Sequence, residues 1–244
     1  MGLNYVADFD SIKINDVSSD ELGLYFDYLD VPPMAHQRRT RWSTRRDEDG
    51  FSADDTYENI IWPFACYTFM NENYYNSAIY QYFAEAKKLE ISRLPGYHYK
   101  VVDIQLSAPE QLLGGKRIAY KGTFELSPFR YANNNNPVAI TNGATFEYNG
   151  TRYGKPIISG TSAASQELII TCTHGNTQDR LSIANCTAGE TLYIDTERKI
   201  VHNGTSIILN RVDGVYPTLQ PGNNSITWEG TFNNVQIVKN RRSY

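Results

Sequence analysis

Four Asn-Gly or Asp-Gly dipeptides punctuate the second half of this chain, and they constrain its fold more than any other feature. Asn142-Gly143, Asn149-Gly150, Asn203-Gly204 and Asp213-Gly214 each join residues that tolerate positive φ, the chemistry of two-residue hairpin turns. Between them lie short strand-like runs at 144–148, 155–159, 168–172, 192–195, 200–202, 207–210, 225–228 and 235–239. Many short strands separated by such turns predict an all-β sandwich or barrel. No fixed-period repeat is present.

The first half reads differently. Residues 60–70 carry Ile60, Ile61, Trp62, Phe64, Tyr67 and Phe69, a buried strand with Pro63 near its start. One helix follows, capped by Asn76 or Ser77. Its apolar face is Ile79, Tyr82, Phe83, Ala86 and Leu89, Glu85 and Lys88 pair on the outer side, and Leu94-Pro95-Gly96 ends it. Residues 99–104 and 123–126 read as further strands. The tract Asn133-Asn134-Asn135-Asn136-Pro137 is polar and without apolar periodicity. It marks a domain boundary, giving domains at 1–132 and 133–244.

Composition excludes several classes. Of 244 residues, 41% are hydrophobic and 20% charged, enough apolar surface for a packed core and against intrinsic disorder. A net charge of -4 argues against nucleic-acid binding, which needs a concentrated excess of Lys and Arg. No run approaches the ~20 apolar residues that cross a bilayer, and Met1-Gly2-Leu3-Asn4 has no signal-peptide character. Cys66, Cys172 and Cys186, an odd and sparse set, are expected to be reduced thiols, Cys66 in the core. Eighteen Tyr residues suit both strands and interfaces.

Residues 36–58 form a charged block in which the signs segregate along the chain. Arg38, Arg39, Arg41, Arg45 and Arg46 precede Asp47, Glu48, Asp49, Asp54, Asp55 and Glu58. One reading is a solvent-facing hairpin. The other is an assembly arm whose basic and acidic halves pair head-to-tail with a second copy, centred on Arg38, Arg39, Arg41, Arg45, Arg46, Asp47 and Asp49.

Catalytic chemistry finds little support. The four Asn-x-Ser/Thr matches, at Asn149, Asn185, Asn203 and Asn223, read as turn residues. Cys172-Thr-His174 lacks the second ligand pair that structural zinc needs. Asp47-Glu48-Asp49-Gly50 opens like a calcium loop, but Phe51 and Ala53 occupy ligand positions. Neither a phosphate loop nor a Gly-x-Ser-x-Gly elbow occurs. The expectation is a protein that is not an enzyme and holds no metal or cofactor. Trp228 is the one candidate sugar platform, although its alternation with Ile226 suits a core residue.

Several segments together resemble the distal tail protein family of long, non-contractile-tailed bacteriophages. They are Ile14-Asn15 with Ser18-Ser19-Asp20-Glu21-Leu22-Gly23-Leu24, then Arg45-Arg46-Asp47-Glu48-Asp49-Gly50, where three acidic residues lengthen the family's Arg-Asp-Gly turn. Leu94-Pro95-Gly96-Tyr97-His98-Tyr99-Lys100 and Gly122-Thr123-Phe124-Glu125-Leu126-Ser127-Pro128-Phe129-Arg130-Tyr131 follow. Asp195-Thr196-Glu197-Arg198-Lys199-Ile200-Val201, Asn203-Gly204 and 216–226 complete the order. The resemblance implies an N-terminal β-sandwich ring domain with one helix and a hairpin arm, and a C-terminal galectin-like β-sandwich. It implies a homo-hexameric ring at the tail tip or baseplate of the virion, assembled in the bacterial host cytoplasm. Such a ring joins the tail tube protein to the tail-associated tip protein and the receptor-binding proteins and passes the genome without gripping it. The competing reading is a carbohydrate-binding module for host wall glycans.

Overall fold

The computed structural model describes residues 10–26, 29–43, 49–69, 77–112 and 117–243, with backbone alone over 38–56. The chain divides between Asn133 and Asn134 into two compact units.

The first unit opens with a hairpin of β1 (Ile12–Ile14) and β2 (Val17–Ser18). Asn15 and Asp16 turn it with φ of 50° and 71°, the left-handed values that Asn and Asp tolerate. A capping box follows: the Ser18 hydroxyl accepts from the Asp20 amide, and the Glu21 carboxylate accepts from the Ser18 amide. Next come β3 (Gln37–Ser43) and β4 (Asp49–Tyr57), paired only with each other, and β5 (Ile60–Phe69). Helix α1 (Ser77–Ala84) precedes β6 (Lys88–Ile91), β7 (Tyr97–Leu106), β8 (Glu110–Leu112) and β9 (Arg117–Ala132). The sheet runs β2-β1-β6-β7-β9, and β5 and β8 also pair with β9.

Strand β9 is long enough to serve two partners. Its residues 117–126 pair with all of β5, and 122–132 pair with β7. Trp62, Phe64, Phe83 and Phe124 meet in the core, the Phe64 and Phe124 rings 4.7 Å apart. Gly122 is required there. A Cβ at that position would lie 2.6 Å from the Gln105 carbonyl oxygen and 2.8 Å from the Phe64 ring.

The helix is shorter than the three- and four-residue spacing predicts. It ends at Ala84, and Leu89 belongs to β6. There Leu89 and Ile91 point inward and Lys88 and Glu90 outward, and Leu89 pairs with Ile14 in the ladder. A period of two over four residues outcompetes the helical period because β1 offers a partner. The Asn15 side chain secures the exchange, donating to the Glu85 carbonyl and accepting from the Lys87 and Lys88 amides. The expected Glu85–Lys88 pair does not form. Gln81 donates to Glu85, while Lys88 contacts Asp16 and Glu90, each at 2.7 Å. Asn76 lies outside the described residues, and Ser77 is the first helical residue.

The second unit is a two-sheet sandwich. Its strands are β10 (Val138–Ala139), β11 (Ala144–Tyr148), β12 (Ile157–Ser162), β13 (Gln166–His174), β14 (Thr177–Cys186), β15 (Thr191–Asp195), β16 (Ile200–His202), β17 (Val212–Gly214), β18 (Gly222–Glu229) and β19 (Phe232–Val238). One sheet runs β10-β19-β12-β15-β16, the other β11-β18-β13-β14-β17. Ile158, Ile194, Val201 and Ile237 from the first meet Ile170, Cys172, Leu181, Ile183 and Ile226 from the second, all essentially buried. Burying each such side chain stabilises the fold by about 1.5–3 kcal/mol.

None of the four turn dipeptides makes the two-residue hairpin expected of it. Asn142-Gly143 carries the chain from one sheet to the other. Asn203-Gly204 opens a longer return in which the Asn203 carboxamide accepts from the Thr205 and Ser206 amides. Asp213-Gly214 lies within β17. Gly150 is needed for space: it and Gly154 lie against the buried Tyr148 ring, where a Cβ would come within 2.5 Å and 2.7 Å. The tight hairpin is instead Gly175-Asn176 between β13 and β14. Residues 207–210 are not a strand; Leu209–Arg211 form a 3-10 turn.

Replacing Gly122 by Ala is expected to cost about 1–3 kcal/mol through overpacking against backbone and ring. Chemical denaturation monitored by tryptophan fluorescence measures this, and an unchanged midpoint would contradict the close approach.

Candidate assembly surfaces

The charged block folds as the β3–β4 hairpin. Arg38, Arg39 and Arg41 lie on β3 and Asp49 begins β4, while Arg45, Arg46 and Asp47 lie outside the described residues. In the ladder Arg39 stands opposite Ala53, Arg41 opposite Phe51 and Ser43 opposite Asp49. No acid is therefore directly opposite Arg39 or Arg41. At the hairpin's base the Glu58 amide donates to the His36 carbonyl at 3.0 Å, and the Tyr57 ring packs edge-on to Phe129 of β9 at 5.0 Å. The hairpin is thus rooted on the first unit's sheet, yet it pairs with no other described strand. A two-stranded sheet alone is marginal in water.

The β5 edge is a second surface. On its side away from β9, among the described residues, Tyr25 alone bridges to it, exchanging two 2.9 Å hydrogen bonds with Tyr67. Ile61 is 60% exposed and Phe69 48%. Pro63, without an N–H, interrupts the donors that an added strand would use. Arg117 extends from β9 over the Tyr67 and Phe69 rings, 4.5 Å and 5.2 Å from their centroids. Further along, Lys100 lies over Tyr131, Arg130 over Tyr97, and His98 stacks on Tyr131. Three of the eighteen Tyr residues, Tyr67, Tyr97 and Tyr131, thus sit on strands as partners of a cation.

Trp228 is half-buried, edge-on to Phe232 at 6.2 Å and packed against the sandwich core. Asn142 clamps its backbone, donating to the Trp228 carbonyl and accepting from its amide. A different aromatic pair lies on the outer face of the other sheet. Tyr193 and His202 are cross-strand neighbours with rings 5.0 Å apart and nearly parallel. Sequence reading missed them because neither has a distinctive local context; the alternation with buried Leu192, Ile194 and Val201 was the available signal.

The strongly perturbed groups are structural. Glu190 binds Arg211 through both oxygens at 3.0 Å and 2.9 Å and also accepts from the Asn203 side chain and the Thr187 amide. The Arg211 bonds above all, with these others, hold its carboxyl down at about 2. Arg211 also donates to the Ala184 and Asn185 carbonyls, so one guanidinium closes the end of the sandwich. Burial pushes the Cys66 and Cys172 thiols up to about 12, which leaves them protonated and poorly nucleophilic. Cys172 donates to the Thr218 carbonyl, and Asp179 accepts from the Thr218 amide and hydroxyl. His174 stands 3.6 Å from that carboxylate. Among the described residues, no three His, Cys, Asp or Glu gather as a metal site, and no helix is long and apolar enough to cross a membrane.

No protein-family model matches the chain, and no curated protein matches it. Solved structures do. The Dit (gp 19.1) protein of phage SPP1, a hub of the adsorption apparatus in phages infecting Gram-positive bacteria, superimposes with a TM-score of 0.69 at 10% identity. That match covers 93% of this chain and 96% of the other. A chain of the phage P2 baseplate in its activated conformation with Ca matches with a TM-score of 0.51 at 12% identity, covering 94% and 96%. At these identities the likeness is one of fold, and it spans both units.

Because the folded Glu190 carboxyl sits near 2 against an ordinary 4.5, its contribution is complete above pH 4.5 and lost as pH falls towards 2. Glu190→Gln is expected to lose on the order of 2–3 kcal/mol at neutral pH and to flatten the acid limb of stability against pH. Urea denaturation across that range is the measurement. Equal acid sensitivity in both proteins would remove Glu190 from this role.

Proposed function

We propose that this chain is a structural hub of a phage tail tip or baseplate. The observation that carries the reading is the end-to-end fold match to the SPP1 Dit hub protein, which takes in both units. In this reading residues 1–132 form the ring domain, with 36–58 as its arm, and residues 133–244 are a peripheral galectin-like sandwich. Copies close into a homo-hexamer that joins the tail tube to the tip protein and carries the receptor-binding proteins. The protein is then a virion component assembled in the host cytoplasm, without an enzymatic step.

The physical chemistry agrees with such a part. Ring closure requires heterologous contacts that join two different surfaces of the same chain. A hairpin paired with no other described strand is one surface, and the exposed β5 edge with Ile61 and Phe69 is a second. Docking the hairpin of one copy onto its neighbour gives a marginal two-stranded sheet the cover it lacks. An acidic chain suits a passage that must not retain DNA.

A second reading, glycan binding by the second unit, is favoured by the Tyr193–His202 stack on an outer sheet face, more than by the packed Trp228. Saturable binding of host wall glycans to the full chain, lost in Tyr193→Ala, would support it.

For the hub, light scattering of the purified chain is expected to give the mass of a ring of six. Reversing Arg38, Arg39 and Arg41 to Glu together is expected to drop the mass towards that of a single chain with the fold intact by circular dichroism. A monomer at high concentration in the unaltered protein would overturn the hub reading; a ring that survives the reversal would overturn only the arm's part in it.

A further inference from the structure

Three Asn-Gly pairs occur in the chain, all in the second unit. Two of them run on into the same residue type, as Asn149-Gly150-Thr151 and Asn203-Gly204-Thr205, and the third is Asn142-Gly143-Ala144. Such a pair can react with itself. A glycine amide nitrogen has no Cβ to shield it, so it attacks the side-chain carbonyl of the preceding asparagine with little steric hindrance. Their sequences rank the three pairs alike, and hydrogen bonding separates them.

At Asn142-Gly143 both reacting groups are occupied. The Asn142 carboxamide donates to the Trp228 carbonyl at 2.7 Å and accepts from the Trp228 amide at 2.9 Å. The Gly143 amide donates to the Ile226 carbonyl at 3.0 Å. Asn203-Gly204 is held in the same way. The Asn203 side-chain oxygen accepts from the Thr205 hydroxyl at 3.1 Å and the Ser206 amide at 3.0 Å, and its nitrogen donates to Glu190 at 3.1 Å. The Gly204 amide donates to His202 Nδ1 at 3.4 Å.

Asn149-Gly150 differs on both counts. Among the described residues no hydrogen bond engages the Asn149 carboxamide or the Gly150 amide. The residues on either side are nonetheless fixed: the Tyr148 hydroxyl accepts from the Arg242 amide at 2.9 Å, and the Thr151 amide donates to the Arg242 carbonyl at 3.1 Å. Asn149 is exposed to water. The fold also keeps the glycine in place. Gly150 is buried against the Tyr148 ring, where a Cβ would come within 2.5 Å, so the residue that least shields its own nitrogen is the one that fits after Asn149.

We infer that Asn149 is a self-modification site, at which the folded chain converts asparagine to aspartate or isoaspartate while Asn142 and Asn203 stay intact. The Gly150 nitrogen attacks the Asn149 side-chain carbonyl carbon and gives up its proton. The carbon–nitrogen bond of the carboxamide breaks, and that nitrogen leaves as ammonia. Water, the one co-reactant, then opens the cyclic imide at either carbonyl. The new carboxylate lies in a wall that residue 149 shares with Lys239 and Arg241, whose like charges it offsets. The site belongs to the second unit alone and does not depend on the hub reading.

The test is peptide mapping by mass spectrometry of the full chain after prolonged incubation in mildly alkaline buffer, once folded and once in urea. In the folded chain Asn149 is expected to convert about tenfold or more faster than Asn142 and Asn203, whose hydrogen bonds must break first. In urea all three are expected to react at comparable rates. Isoaspartate at position 149 identifies the imide route. Asn149→Gln, whose longer side chain disfavours ring closure, is expected to remove the acidic form that the folded chain acquires on ion exchange. Equal or faster conversion at Asn142 or Asn203 in the folded chain would overturn the inference, as would an intact Asn149 once the chain in urea has reacted. Aspartate without isoaspartate, or the same preference for Asn149 in urea, would overturn it too. Ring formation by light scattering is independent of all of these outcomes.

Discussion

The first unit depends on one strand having two neighbours. β9 pairs with β5 over residues 117–126 and with β7 over 122–132, and the five residues 122–126 that serve both lie where the Phe64, Phe83 and Phe124 rings pack. Gly122 lies in the shared stretch, where a side chain would meet the Gln105 carbonyl and the Phe64 ring. Everything else in the unit hangs from this arrangement. α1 covers the core through Ile79, Tyr82 and Phe83, β6 joins β1 to β7, and the β3–β4 hairpin is rooted through Tyr57 on Phe129.

The second unit is stabilised by closures between residues remote in sequence. Arg211 and Glu190 seal one end by a bidentate pair that also engages two backbone carbonyls. Elsewhere the Tyr148 hydroxyl accepts from the Arg242 amide, and the Arg242 side chain reaches Glu197 at 2.6 Å. The Asn135–Asn240 exchange is made across 105 positions. Breaking one partner of such a pair leaves the other unsatisfied, which costs more than the bond itself contributes. These polar closures position the ends of a sandwich whose interior is otherwise aliphatic.

Local periodicity was legible wherever the chain itself contained both faces of an element. Alternation identified the strands at 144–148, 192–195 and 200–202 with the bounds the structure gives, or nearly so. It failed where a partner decided. Leu89 fits a helix by spacing and a strand by its ladder with Ile14, and only the partner resolves the choice. β14 escaped notice because its first half, Thr177 to Arg180, is polar on both faces; the His174-Gly175-Asn176-Thr177 turn was the signal available. The Arg-rich block was legible as charged and sign-segregated, whereas its register, with Ala53 and Phe51 opposite Arg39 and Arg41, was not.

By itself the sequence determined a β-rich architecture with one helix, a sign-segregated charged block and an apolar interior, because side-chain alternation acts between neighbours in the chain. Tertiary structure alone decided what the turn glycines do, where the helix stops, and which of the Asn-Gly pairs are held by hydrogen bonds. Those outcomes depend on groups up to about a hundred positions apart arriving at hydrogen-bonding distance, and no pattern of spacing along one chain encodes which remote surface will be there to receive them.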